Sequence, residues 1–192
     1  MVDEVKAYVI YEIRKPDGKV KKRKTMKSDS LVANFLRIVK VCLTNEAENV
    51  IDANGNLFTV SPSDLPSIKS DAPEGDDKFG ILLGTGTTEV SPNDYALESK
   101  IPHGDVDNSL HYYTSSHKSI VVDTATKKTT LDFIRDFQNK GTVNITISEV
   151  GLAVEIYPHY VLIFRHIIPS EERPTVSSNE YITFTVRIEI TS

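Results

Sequence analysis

Stretches in which apolar and polar residues strictly alternate recur from one end of this sequence to the other, and they decide its fold class. Over residues 5 to 14, Val5, Ala7, Val9, Tyr11 and Ile13 fall on one face, and Lys6, Tyr8, Ile10, Glu12 and Arg14 on the other. Val143, Ile145 and Ile147 alternate with polar residues, Leu131, Phe133 and Phe137 share a face, and Tyr181 to Ile190 places Ile182, Phe184, Val186, Ile188 and Ile190 inward. A period of two is that of a β-strand with one buried face. Turn signals separate the runs: Pro16-Asp17-Gly18, Asp52-Ala53-Asn54-Gly55-Asn56 and Asn139-Lys140-Gly141 are sequences that reverse a chain between strands. Only Ser30 to Leu43 has a helical period, with Leu31, Phe35, Val39 and Cys42 on one stripe and Ser28 or Asp29 as the N-cap. The expected fold is mainly β: an antiparallel β-sandwich, jelly-roll-like, with one short amphipathic helix and an N-terminal β-hairpin.

The 192 residues suffice for one core without disulfide staples. Residues 1–27 are expected to form a hairpin that serves as an assembly arm, and 28–192 a single sandwich domain with a long loop at about 61–78, where Pro62, Pro66, Pro73 and Gly75 cluster. The hairpin's first strand is apolar on both faces, and a hairpin alone cannot bury two faces. Its return strand carries Lys19, Lys21, Lys22, Arg23, Lys24 and Lys27. Lysines on a solvated edge discourage unwanted strand pairing; they could also meet an acidic neighbour or nucleic acid. The net charge of −5 and pI of about 5.6 argue against coating nucleic acid. An acidic neighbour exists in the chain's own loop of Asp71, Glu74, Asp76 and Asp77, which lacks the spacing of a calcium loop. A head-to-tail contact between copies would then join Tyr8, Ile10, Lys21 and Arg23 of one to Asp76 and Asp77 of the next.

The centre of the chain is Phe79 to Ile101. A short apolar run, Phe79 to Leu83, is broken by Gly84 and Gly86; Ser91-Pro92-Asn93-Asp94 follows, and Tyr95, Leu97 and Ile101 anchor the excursion. The glycines do not continue into a dinucleotide fingerprint or a P-loop, and Pro92 interrupts the helix a phosphate site would need. Gly84, Gly86, Asp94 and Gly151 are therefore read as structural loop residues, with Gly84 and Gly86 candidates for positive φ or for the close approach of another segment of chain. Cys42, flanked by Val41 and Leu43, is expected to be a buried, inert thiol. His103, His111 and His117 lack the spacing of a zinc helix. No nucleophile elbow or zinc-protease motif occurs, so neither an enzyme nor a cofactor is expected. Glu149 and Arg165 each end an apolar element and should be partnered if buried.

Leu83-Gly84-Thr85-Gly86-Thr87-Thr88, then Ser91, Asp94, Leu97, Ile101 and His103-Gly104 form an ordered series. It continues with Phe137-Gln138-Asn139, Glu149-Val150-Gly151-Leu152, Leu162-Ile163-Phe164-Arg165 and the final alternating strand. Over roughly residues 79 to 190 the series resembles structural proteins, capsid or tail-associated, of tailed phages and related archaeal viruses. The resemblance implies a virion structural protein without catalysis, forming a homo-oligomer or attaching to other virion structural proteins, with no nucleic acid and no membrane as partner. Its place would be the virion, assembled in the host cytoplasm. The acidic start, Met1 to Lys6, does not read as a signal peptide. The other reading is a carbohydrate- or receptor-binding β-sandwich module, which would need exposed aromatics; Tyr112-Tyr113 and Tyr157 with Tyr160 are the residues available.

Overall fold

The computed structural model describes residues 4–28 and 30–191. The chain starts with β1 (Glu4–Arg14) and β2 (Val20–Ser28), then α1 (Ala33–Thr44), β3 (Glu48–Ile51), β4 (Leu57–Val60) and a 3-10 helix, Pro62–Ser67. β5 (Gly80–Gly84) precedes the excursion, which returns through β6 (His111–Tyr112), β7 (Ser116–His117) and β8 (Val121–Asp123). β9 (Lys128–Gln138), β10 (Ile145–Thr146), β11 (Glu149–Ile156), β12 (His159–Ile167), β13 (Thr175–Val176) and β14 (Tyr181–Thr191) complete it. The protein is mainly β, and every pairing between these strands is antiparallel. A seven-stranded sheet has the order β2-β1-β14-β9-β6, with β7 and β8 also on β9; a second sheet has the order β12-β11-β5. None of the described helices is long and apolar enough to cross a membrane.

The N-terminal hairpin is not an appended arm. β1 pairs with β14 over its whole length, Val5 opposite Ile190 through Ile13 opposite Ile182, which makes it an interior strand of the large sheet. The cause is pattern matching: two eleven-residue strands with the same alternation bury Val9, Tyr11, Ile13, Ile182, Phe184 and Val186 on one face. Tyr11, Phe184, Phe137 and Tyr112 form an aromatic row across β1, β14, β9 and β6, with successive ring centroids 5.9, 6.3 and 4.8 Å apart. The alternation in β14 stops delivering burial near its end: Ile190 is exposed, while Glu189 on the opposite face is buried and held by Lys128 at 3.0 Å.

The helix begins at Ala33, later than Ser30, because residues 30–32 are used as extended chain. The Arg165 amide donates to the Ser30 carbonyl, Leu31 bridges Phe164, and the Val32 amide donates to the Ile163 carbonyl. The expected stripe is also rotated: Asn34 and Val41 are the buried positions, whereas Leu36, Leu43 and Cys42 face solvent. Asn34 lies inward because its amide donates to the Ile51 carbonyl at 2.9 Å and accepts from the Ile51 amide at 3.2 Å, satisfying the edge of β3. Cys42 is thus an exposed thiol rather than a buried one. Nor is α1 the only helix, since the 61–78 loop opens with the 3-10 turn, capped by Ser61 and Asp64. Lys69 then pairs with Glu155 at the side of β11, so the loop is fastened to the sheet.

Candidate functional site

The residues singled out in the central loop meet on one face of the β12-β11-β5 sheet, around Glu149. β5 and β11 pair with Glu149 opposite Gly84 and Gly151 opposite Leu82. The Glu149 carboxylate is fully buried. It accepts hydrogen bonds from the amides of Gly86 (3.1 Å), Glu98 (3.1 Å) and Ser99 (2.8 Å) and from Arg165 Nε (3.0 Å). Arg165 Nη2 also lies 3.0 Å from the same carboxylate, as an ion-pair contact without hydrogen-bond alignment. Arg165 Nη1 donates to Asp94 at 2.8 Å, and Asp94 caps the Ser91 amide at 2.9 Å. One carboxylate thus ties both ends of the 86–99 excursion to the sheet, and one guanidinium holds its middle.

Neither Gly84 nor Gly86 has positive φ; among the described residues the glycines that do are Gly18, Gly55, Gly75 and Gly80. Space is the reason for glycine instead. A Cβ on Gly84 would overlap Glu149 Oε1 and stand 2.7 Å from the Ser99 carbonyl, and one on Gly86 would stand 2.5 Å from Glu149 Oε1. Gly151 is likewise needed, since Leu97 and Leu162 would lie 2.9 and 3.0 Å from its Cβ. Gly84→Ala is expected to destabilise by about 1–3 kcal/mol through overpacking, read as a lower urea midpoint at unchanged slope. An unchanged midpoint would mean that the excursion yields freely.

Beside this clamp is a cleft of about 400 Å³. Its floor is Leu82, Ala153 and Leu162, its walls include Tyr95, Leu97 and Tyr160, and Asp77, Lys78 and Lys100 stand at its mouth. The Asp77 carboxylate accepts from Lys100 Nζ at 2.9 Å and from the His103 amide at 2.8 Å. Burial works against its ionisation, but the His103 amide and the lysine outweigh burial and hold it below the ordinary carboxylate range. Lys78 Nζ lies 5.5 Å from the Tyr160 ring centroid and has no carboxylate partner among the described residues.

Of the six residues expected at a head-to-tail contact between copies, several are engaged within the chain. Lys21 donates to Glu180 at 2.7 Å. Asp76 caps the Lys78 amide and gives its carbonyl to Arg135, and Asp77 is used as described. Ile10 and Arg23 line a shallow depression on the outer face of the large sheet, and Tyr8 on that face reaches Glu189 at 3.4 Å. The Asp77 carboxylate is therefore engaged within the chain, whereas Asp71 of the same loop is exposed. Of the tyrosines, Tyr112 is buried, Tyr113 bonds Gln138 at 2.8 Å, Tyr157 is exposed and Tyr160 lines the cleft.

The histidines divide. His111 lies between Asp105 (2.7 Å) and Glu74 (2.8 Å), with the His103 ring 5.0 Å away, while His117 is exposed on β7. Among the described residues no group of three or more His, Cys, Asp or Glu side chains could hold a metal ion.

Arg135 escapes a motif search altogether. Almost fully buried on β9, it donates to five backbone carbonyls: Tyr113 (2.7 Å), Phe79 (3.0 Å), Ile81 (3.3 Å), Pro73 (3.2 Å) and Asp76 (2.6 Å). Its signal was positional, an arginine in the inward phase between Phe133 and Phe137. Comparisons with protein-family models, curated proteins and solved structures find no match for this chain.

Proposed function

We propose that this chain is a structural protein of a virus particle, without catalysis, that associates with copies of itself and with other virion proteins, made in the host cytoplasm where particles form. The observation that carries the reading is an apolar overhang at one end of the large sheet. Val5, Ile190, Thr129 and Val122 lie in one row across four strands, on the face whose other end is core. Val5, Ile190 and Val122 are 57%, 46% and 66% exposed. The next row, Ala7, Ile188 and Leu131, carries the apolar surface continuously into the core. A contiguous apolar patch at a sheet end favours contact with another protein surface, and a row of this kind can meet its own copy across a two-fold axis. The sequence resemblance to virion proteins points the same way.

The finer architecture is proposed as a β-sandwich, with the β12-β11-β5 sheet over the inner face of the large one. The bonds from Arg135 on β9 to the Phe79 and Ile81 carbonyls and from Tyr112 on β6 to the Ile101 carbonyl support it. Sedimentation velocity tests the function. The intact chain is expected to associate at micromolar concentration and to remain associated in high salt, because apolar contact is not screened. Ile190→Lys with Val122→Lys should yield a folded monomer. An intact chain monomeric at millimolar concentration would overturn the reading.

A further inference from the structure

We infer that the cleft beside the Glu149 clamp binds a small ligand with a flat apolar body and one anionic group, an aromatic carboxylate or sulfonate in chemical class. The inference does not depend on the assembly role. The volume, about 400 Å³, falls within the range of small-molecule sites. The sheet makes it by using a small residue: Ala153, paired with Leu162 on β12, leaves a low floor between Leu82 and Leu162. The Leu97 wall is held in place before any ligand arrives. Leu97 rests on Gly151, and the Glu98 and Ser99 amides are bonded to Glu149, so little ordering is required on binding.

The lining chooses the ligand class. Floor and walls are chiefly side-chain carbon from Leu82, Ala153, Leu162 and Leu97, joined by the rings of Tyr95 and Tyr160. A sugar would bring more hydroxyls than such walls can satisfy, and an unsatisfied hydroxyl is costly to bury; an aromatic or alicyclic ring has no such cost. The mouth decides the charge. Asp77 and Lys100 neutralise each other, the lysine giving further hydrogen bonding to the Asp77 carbonyl at 2.8 Å. That leaves Lys78 as the uncompensated charge at the rim, exposed and able to swing from the Tyr160 ring onto an anion.

The test is titration of the ¹⁵N-labelled intact chain with 1-anilinonaphthalene-8-sulfonate, beside its uncharged counterpart N-phenyl-1-naphthylamine. Saturable shifts are expected at the amides of Ala153, Leu162 and Tyr95, with a dissociation constant on the order of 10–100 µM for a ligand of that size. Lys78→Ala should weaken the sulfonate about fivefold, the range of an exposed ion pair, and leave the uncharged compound unchanged. Ala153→Leu should abolish binding of both by filling the floor. Lys78→Ala lies on the surface and decides the matter even if Ala153→Leu does not fold. Shifts confined to residues around Val5, Val122 and Ile190, or an unchanged sulfonate affinity in Lys78→Ala, would overturn the proposal.

Discussion

Arg135→Leu is expected to destabilise the protein by about 3 kcal/mol or more and to lower Tm by roughly 6–12 °C. Five carbonyls from three stretches of chain converge on the guanidinium: Tyr113 beyond β6, Phe79 and Ile81 at β5, and Pro73 and Asp76 in the preceding loop. No carboxylate shares the work, so removing the side chain strands several buried acceptors at once instead of leaving a counter-charge. The guanidinium also stacks 4.8 Å over the Tyr112 ring. Burial pushes its pKa down to about 10, which still leaves it charged at neutral pH. Arg135→Lys keeps the charge but offers three donors in place of five, and should recover only part of the loss. Thermal and urea melts of both variants are the measurement; a leucine variant as stable as the wild type would mean that water reaches these carbonyls.

Glu149→Gln should cost a comparable amount, about 3–5 kcal/mol, the range for breaking a buried ion pair. The amide keeps the carboxylate's shape, but its NH₂ is forced toward a site occupied by the Gly86, Glu98 and Ser99 amides and the Arg165 guanidinium, all donors. Arg165→Met should be similarly damaging, since Asp94 and Glu149 lose their common cation. Because the two residues act on one another, the double variant is expected to cost clearly less than the sum of the single ones. Strict additivity in that cycle would mean that each residue works separately. Limited proteolysis provides a second measurement. In Glu149→Gln the excursion should be cut faster near residues 86–99, since the bonds that close it are lost while the sheets remain.

Much of the backbone was legible because a strand's period is a local property of the chain. Val9, Tyr11 and Ile13, and likewise Ile182, Phe184 and Val186, declare which face is buried before any partner is known. The helix was legible as a helix but not in phase or start. The phase of α1 is set by Asn34 bonding the edge of β3, and its start by residues 30–32 being drawn out along β12; both are contacts with chain far away in sequence. Gly84 and Gly86 could be picked out as obligatory small residues; of the two reasons for glycine, positive φ and close approach, only close approach holds. What they avoid is a side chain 63 or more residues away in the sequence.

The mainly β character, the positions of the turns, the apolar face of each long strand and the need of Glu149 and Arg165 for partners if buried are all legible in the residues alone. These follow from side-chain alternation, turn chemistry and the cost of burying charge, all readable residue by residue. Folding in three dimensions makes β1 an interior strand beside β14, engages Asp77 with Lys100 and His103, and gathers five carbonyls on Arg135. It also left Val5, Ile190 and Val122 beyond the covered part of the sheet and opened a cleft above Ala153. Strand pairing, cavity and charge neutralisation are relations between distant segments, and a strand's own pattern says that it has a buried face without saying what will cover it.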